Sequence, residues 1–549
     1  MMPSDNYTIC AWVRLTMSVS VGIDIGTSNS CACFFRNGTY EIFTTDTGSK
    51  LLPSYVSYEN GKSVCGNDCF TVCSFKRVLG RQFDTEEVRA MTDRCIAPLR
   101  ESASGDVEFY NQNNGETHTS TDLTTELIKD ILSTVVKNSG LKIGDVTFTV
   151  PAYFTPQQRK VMEQAITNAG IDEDHFCIIT EPTAAAISYG VDNDIRSKVF
   201  LVYDMGGGTF DVSVMRIATD HMSVINHDGD NFLGGESFDA AILDNVVKQM
   251  KANYSYSPLP PEDDKKYLQM KKKLLMLCED AKKSFVYDDN VTVDMEPFAR
   301  YLHKDDVTMT LTSANLEVLL NSFMQRAINI VDRAILNSGL TKGDIDAVVL
   351  VGGSTRLKCV RSSLQEYFGE KIHIQENVNP DEAVAKGACL FCTSWIQNKA
   401  QPTLTWSGRV IMMDEVTTYS IGIGGPDDRY YCIIPKNSVM NGKKYRKRLR
   451  KSSDACTEQL LYVYQGDDPV ASKNRILNRI SWHGFPDYPA QYVYFDLFLS
   501  VEKDGCIYAD VIDVRTHEVY LDHFLILFIV SSKQSTSQDI HYSLIECLV

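Results

Sequence analysis

Three glycine-rich turns carry most of the recognisable chemistry in this sequence. Asp24-Ile25-Gly26-Thr27-Ser28-Asn29 follows an apolar run from Val19, and Asp204-Met205-Gly206-Gly207-Gly208-Thr209 follows one from Val199. Gly352-Gly353-Ser354 follows a third run that begins at Ala347. With no Cβ to block the approach, successive backbone N–H groups in such turns converge on an anion. Two turns facing each other would clamp the β- and γ-phosphates of a nucleotide from both sides. Asp24 and Asp204 at the strand ends suit a hydrated Mg2+ that bridges those phosphates. One Gly-Gly-Gly-Thr alone reads equally well as a surface turn; three turns in the same phase do not. No GxxxxGK[ST] loop occurs anywhere, and no GxGxxG stands at a strand end. The P-loop and dinucleotide-binding folds are therefore excluded.

Such turns need strands to hold them. In the first two, an Asp ends one strand and an alternating second strand follows the turn, which predicts hairpins. Asp24 and Asp204 lie 180 residues apart, the mark of a duplication with two related α/β halves facing one cleft. Helix-spaced apolar residues fill 123–139, 157–169 and 316–337. Residues 265–285 predict a long, charge-rich helix standing partly clear of the core. Asn379-Pro380-Asp381-Glu382 predicts a helix start, with Asn as N-cap and Pro at the first position, running to Trp395. Past Gln397 the texture changes to short strand patterns, such as 460–464 and 492–501, with Asp504-Gly505 as a hairpin turn. The chain thus divides into an extension (1–18), a large α/β module (19–397), a linker (398–415), a β module (416–530) and a loose polar tail (531–549).

The 549 residues are 44% apolar and 23% charged, an ordinary globular balance that rules out disorder of the whole chain. Acidic residues outnumber basic ones 71 to 54, giving a net charge of −17. That makes general nucleic-acid binding a poor fit, since phosphate neutralisation needs clustered cations. The 16 cysteines are scattered. Cys65, Cys69 and Cys73 recur every four residues and Cys389-Leu390-Phe391-Cys392 is a CxxC, but no second pair or nearby His set completes a zinc site. Reduced, largely buried thiols and a cytoplasmic location are the expectation. The apolar stretch 9–13 ends at Arg14 and is too short for a signal peptide, Met17 offers an alternative start, and 524–530 is too short to span a bilayer.

In order along the chain, 21–30, 76–81, VPAYF at 150–154, EPTAAA from Glu181, 204–214, 233–239, 351–357 and 379–388 resemble the ATPase domain of the heat-shock protein 70 (DnaK-type) chaperones. The resemblance covers about 19–397 and implies an actin-like, two-lobed ATPase followed by a small β-sandwich-like domain. It implies phosphate contacts from Gly26, Thr27, Ser28 and Asn29 and from Gly206, Gly207, Gly208 and Thr209; Asn29 replaces the family's usual aromatic residue. Lys76 looks like the lysine that holds the attacking water and the γ-phosphate. Asp24, Glu181, Asp204 and Asp211 resemble the acids that order Mg2+, a monovalent cation such as K+, and water. Hydrolysis would then be in-line attack by water, helped by positioning and charge stabilisation. The resemblance implies further nucleotide contacts from Gly234, Gly235 and Glu236, and on the nucleoside side it implies Glu279, Lys282, Lys283, Gly352, Gly353, Ser354, Arg356 and Asp381. Glu279 and Lys282, three apart on a helix, share a face; an exposed helix face is the plainer reading of Lys282 and Lys283. Val286 stands where a hydroxyl residue is common.

Pro151 and Arg159 are similar to a relay pair linking nucleotide state to the substrate domain. Val410, Met412 and Asp414 fall in a run that resembles the interdomain linker, with Arg409 where an acid is usual; the plainer reading is the first strand of the β module. Residues 416–530 resemble the peptide-binding sandwich only loosely, and the helical lid and acidic tail that the family pattern places afterwards are not found. Lys443 to Lys451, with seven cations in nine residues, reads as a solvated loop rather than a nucleic-acid patch. Taken together, the resemblance implies an ATP-dependent chaperone that binds unfolded or apolar polypeptide segments and works with J-domain and nucleotide-exchange co-chaperones in protein folding under stress. The alternative is a nucleotide-bound regulatory or assembly factor of ribosome-associated or viral type. A small-molecule kinase of the same superfamily lacks its sugar-site signatures here.

Overall fold

The computed structural model describes residues 18–526, apart from short stretches that include 67–71, 92–96, 299–306 and 396–402. Residues 1–17 of the extension, the tail, Cys69, Cys73 and Asp504 lie outside the described residues, while Ser18 already belongs to the first strand. Two lobes share one plan. In the first, β1 (Ser18–Asp24), β2 (Asn29–Arg36) and β3 (Thr39–Ile42) form an antiparallel meander, and β4 (Lys142–Val150) and β5 (Phe176–Thr180) add in parallel on the β1 side. In the second, β6 (Lys198–Met205), β7 (Phe210–Ile217) and β8 (His221–Asp230) repeat the meander, and β9 (Ala347–Val351) and β10 (His373–Ile374) add in parallel beside β6. Val21, Ile23, Leu201 and Val212 are fully buried, as expected for sheets covered by helices on both faces.

Capping boxes start the helices where the sequence offers them: Thr119 with Asp122 before α1 (Ser120–Ser139), and Thr155 with Gln158 before α2 (Pro156–Asn168). Between the lobes, α3 (Glu181–Asn193), which carries EPTAAA, packs on the final helix of the module, Ala383–Trp395. A Cβ at Gly387 would lie 1.8 Å from the Ala184 carbonyl oxygen, and one at Gly22 would lie 2.1 Å from the Cys389 nitrogen. Small residues here let backbone touch backbone where the two lobes join.

One boundary differs from the expectation. Asn379 caps a first turn, its side chain accepting from the Asp381 N–H at 3.2 Å and its carbonyl from Glu382 and Ala383 at 3.0 Å, but the Pro380 carbonyl accepts from Gly352 N–H instead, and the continuous helix runs from Ala383. The charge-rich segment expected to stand partly clear is the helix Tyr267–Ser284, which follows the helix Gly235–Tyr254; one side of it is exposed, as at Met276, while Leu274, Cys278 and Ala281 lie in the core of the second lobe.

Residues 403–406 and 409–414 form two strands that extend the sheet of the second lobe, with His221, Met222 and Ser223 of β8 pairing in parallel with Met412, Met413 and Asp414. The backbone of Val410, Met412 and Asp414 thus belongs to the α/β module's sheet rather than to the β module. Beyond it, two four-stranded antiparallel sheets pack around Ile423, Val463, Trp482, Phe495, Leu497 and Val511. The basic run is not a loop: Tyr445–Arg450 is an edge strand paired with Tyr494–Val501. Leu449 points into the core, Arg448 makes paired bonds of 2.9 and 3.0 Å to Asp496, and Lys444 reaches Asp510 at 2.8 Å. Cations along an exposed edge discourage pairing with a further strand. Among the described residues, no helix is long and apolar enough to cross a membrane.

Candidate functional site

The two hairpin turns meet across the cleft. A Cβ at Gly207, in the turn of the second lobe, would lie 2.2 Å from the Ser28 hydroxyl in the turn of the first. A Cβ at Gly26 would fall 1.9 Å from the Asn29 carbonyl, so the first turn requires its glycine. The second turn closes with Gly206 N–H donating to the Thr209 carbonyl at 3.1 Å. Behind it, Gly235 and Glu236 donate their backbone N–H groups to the carbonyls of Gly206 and Gly207 at 3.1 and 2.6 Å. The third turn joins them: the Ser354 hydroxyl donates to the Gly206 carbonyl at 2.8 Å, and Gly352 (φ 82°) passes so close that its Cβ would sit 2.5 Å from the Met205 carbonyl oxygen. Its other side is held by Arg356, whose Nε donates to Asp381 at 2.9 Å. Gly26, Ser28, Gly206, Gly207, Gly235, Gly352 and Ser354 thus come together in one cradle.

Beside the cradle lies a buried charge cluster. Lys76 Nζ and Glu181 Oε1 are 2.6 Å apart, with side chains 8% and 11% exposed. Asp24 accepts from the Thr149 hydroxyl at 3.1 Å. Burial, then Glu181, push Asp24 up to about 6, against the pull of Lys76. Burial, then Glu181 and Asp24, raise Asp204 well above the usual carboxylate range, and burial with Asp204 and Glu181 does the same to Asp211. For Lys76 burial acts downward, but Glu181 and Asp24 outweigh it, so its charge is retained. Four carboxyls surround one ammonium, an environment that favours a further cation. Among the described residues, no three His, Cys, Asp or Glu side chains form a metal cage of their own. Asp24 and Asp204, one carboxyl from each lobe beside the glycine turns, would fit an ion that keeps most of its waters.

Beside Gly235 and Ser354, Lys282 is buried rather than on an exposed helix face. Its Nζ donates to Asp239 at 2.8 Å and to the Gly235 carbonyl at 3.1 Å. Lys283 is exposed and pairs with Glu279, one turn earlier, at 2.8 Å. Glu236 turns its carboxylate to Ser28, Ser74 and Arg77. Pro151 and Arg159 are buried, and Arg159 lines a small cavity with Phe154, Val416, Met440 and Ile507, where the first lobe meets the sandwich. Cys389 and Cys392 are buried free thiols, and Cys392 Sγ donates to the Asp145 carbonyl at 3.1 Å.

Sequence reasoning missed Arg77, Ser74, Thr149 and Asp239. Arg77 stands next to Lys76 and Asp239 closes the 233–239 motif, so position beside a motif was the available signal. Comparison with known proteins adds two findings. Residues 20–520 match the family described as Hsp70 protein. A chaperone protein DnaK from Psychrobacter cryohalolentis is 29% identical over 518 residues, which cover 91% of this chain and 76% of that protein.

Proposed function

The chain belongs to the Hsp70 family of ATP-dependent chaperones, and we propose that it hydrolyses ATP in the cleft between its lobes and couples that reaction to binding and release of apolar polypeptide segments. The observation that carries this reading is the approach of Gly207 to Ser28 across the cleft, beside the buried Lys76–Glu181 pair. Backbone N–H groups of the two turns would hold the β- and γ-phosphates, with Thr27, Asn29 and Thr209 offering further donors. Lys76, kept charged and steered by Glu181, would orient the attacking water and offset charge on the γ-phosphate. Asp24 and Asp204 would hold a hydrated Mg2+, which supplies charge neutralisation on the phosphates. Asp211 completes the acidic set, and a K+ site falls within the same reading. Lys282 and Ser354 lie where the nucleoside would enter.

Coupling requires two states that differ in their affinity for nucleotide or client. Support comes from contacts of the sandwich with both lobes. Arg475 reaches the Thr155 hydroxyl at 3.4 Å on the first, and Asn437 Nδ2 donates to Asn226 at 3.0 Å on the second. With the 409–414 strand seated in the second lobe's sheet, a rotation of the lobes would be felt by the sandwich. J-domain and nucleotide-exchange co-chaperones and a cytoplasmic setting belong to the same proposal.

The test is ATP turnover by the full chain with and without a short apolar peptide. Stimulation by peptide is the expected result. Turnover indifferent to peptide would leave an ATPase without client coupling. ATP held without turnover would favour the regulatory or assembly factor.

A further inference from the structure

A second cluster spans the cleft, and the hydrolytic reading makes no use of it. Glu236 stands at the start of the helix Gly235–Tyr254 in the second lobe, and its carboxylate collects donors from the first. Arg77 Nη2 reaches Oε2 at 3.0 Å, while the hydroxyls of Ser28 and Ser74 reach Oε1 at 3.2 and 3.3 Å. The Arg77 side chain is only 6% exposed. Ser74 holds φ 57°, ψ 19°, a left-handed conformation that a residue with a Cβ adopts only where its surroundings fix it. The guanidinium also lies against the phosphate turn: a Cβ at Gly208 would fall 1.9 Å from Nη2 and 3.0 Å from Nε. That Nε–H is buried and has no partner among the described residues, an unfavourable state for a guanidinium donor.

We infer that Arg77 is a positioning cation that clasps the two phosphate turns together through Glu236 and thereby sets the rate at which nucleotide leaves. The inference rests on the reading that these turns hold a nucleotide. A ligand gripped from both lobes departs only when the turns separate, and separation breaks three hydrogen bonds, one of them charge-assisted, with its Arg77 side buried and its Glu236 side 40% exposed. Loss of such a bond corresponds to about a tenfold change in rate.

The experiment is stopped-flow release of fluorescently labelled ADP, with Mg2+, from the full chain. Wild type is compared with Arg77→Gln, Glu236→Gln, the double variant and Arg77→Lys, with thermal midpoints measured on the same samples. Each Gln variant is expected to release ADP about tenfold faster with little change in association rate. The double variant should release no faster than either single one, since both remove the same contact. Arg77→Lys, which keeps the charge but not the fork, should recover part of the slow release. Release at the wild-type rate from folded variants, or single effects that multiply in the double, would overturn the clasp and leave the ATPase reading intact. A wild-type chain that binds no ADP would overturn both.

Discussion

Lys282 shows how a buried charge pair ties a residue of the candidate site to stability. Asp239 is pushed up to about 6 by burial, with Lys282 holding it lower than burial alone would. Its folded value lies above its unfolded one, so this carboxyl costs stability as pH rises from about 4 through 6, and the cost grows if its partner is removed. Lys282→Met should therefore lower the unfolding free energy by about 3 kcal/mol at pH 7.5, and by clearly less at pH 5. Urea unfolding at the two pH values checks this; equal and negligible losses would return Lys282 to the exposed-face reading. At this scale the glycine turns, Lys76 and the four acids are legible in the sequence because each sits inside a contiguous motif. Arg77 and Asp239 also stand inside motifs, at 76–81 and 233–239, but their roles are not legible, since their partners lie 159 and 43 positions away.

Elements follow the sequence wherever one physical signal dominates. The capping boxes at Thr119 and Thr155 set helix starts close to the apolar periodicity, and the two hairpins stand where Asp-x-Gly interrupts alternating strands. Signals fail where a distant partner intervenes. The Pro380 carbonyl, which would carry the helix on from Asn379, accepts from the distant Gly352 N–H instead, and in the run from Lys443 seven charges mask the single inward Leu449 that marks a strand. The sheet that the 409–414 strand joins is equally invisible from within, because its partner, β8, lies almost two hundred positions earlier. The crossing of Glu181–Asn193 with Ala383–Trp395 gives the sharpest test at this level. Gly387→Ala would drive a methyl group to within 1.8 Å of the Ala184 carbonyl oxygen, and a close-packed interior does not yield that far without cost. A loss of about 1–3 kcal/mol is expected, read as a lower urea midpoint. Ala388→Gly, on the same helix, should behave as an ordinary cavity-forming change.

Across the whole molecule, the contact between the second lobe and the sandwich carries a pH signature. His227 is buried, and burial followed by the charge of Lys436 from the sandwich lowers it to about 4, against smaller opposing effects of Asp228 and Asp467. Its unfolded value is near 6.5. Between about pH 6.5 and 4 the unfolded chain takes up a proton that the folded chain refuses, so stability present above 6.5 is lost on acidification, by up to about 3 kcal/mol. His227→Gln should flatten that part of the difference in a series of urea midpoints from pH 7.5 to 4.5; parallel curves would show that His227 is free to protonate in the folded protein. The central claim, that the cleft between the lobes is an ATPase centred on Lys76, is tested most directly by single-turnover hydrolysis of labelled ATP by wild type and Lys76→Ala, with ATP affinity measured alongside. The account predicts hydrolysis by wild type, a loss of about a hundredfold or more in the variant, and ATP binding that survives the change. Equal turnover by the two proteins would contradict it.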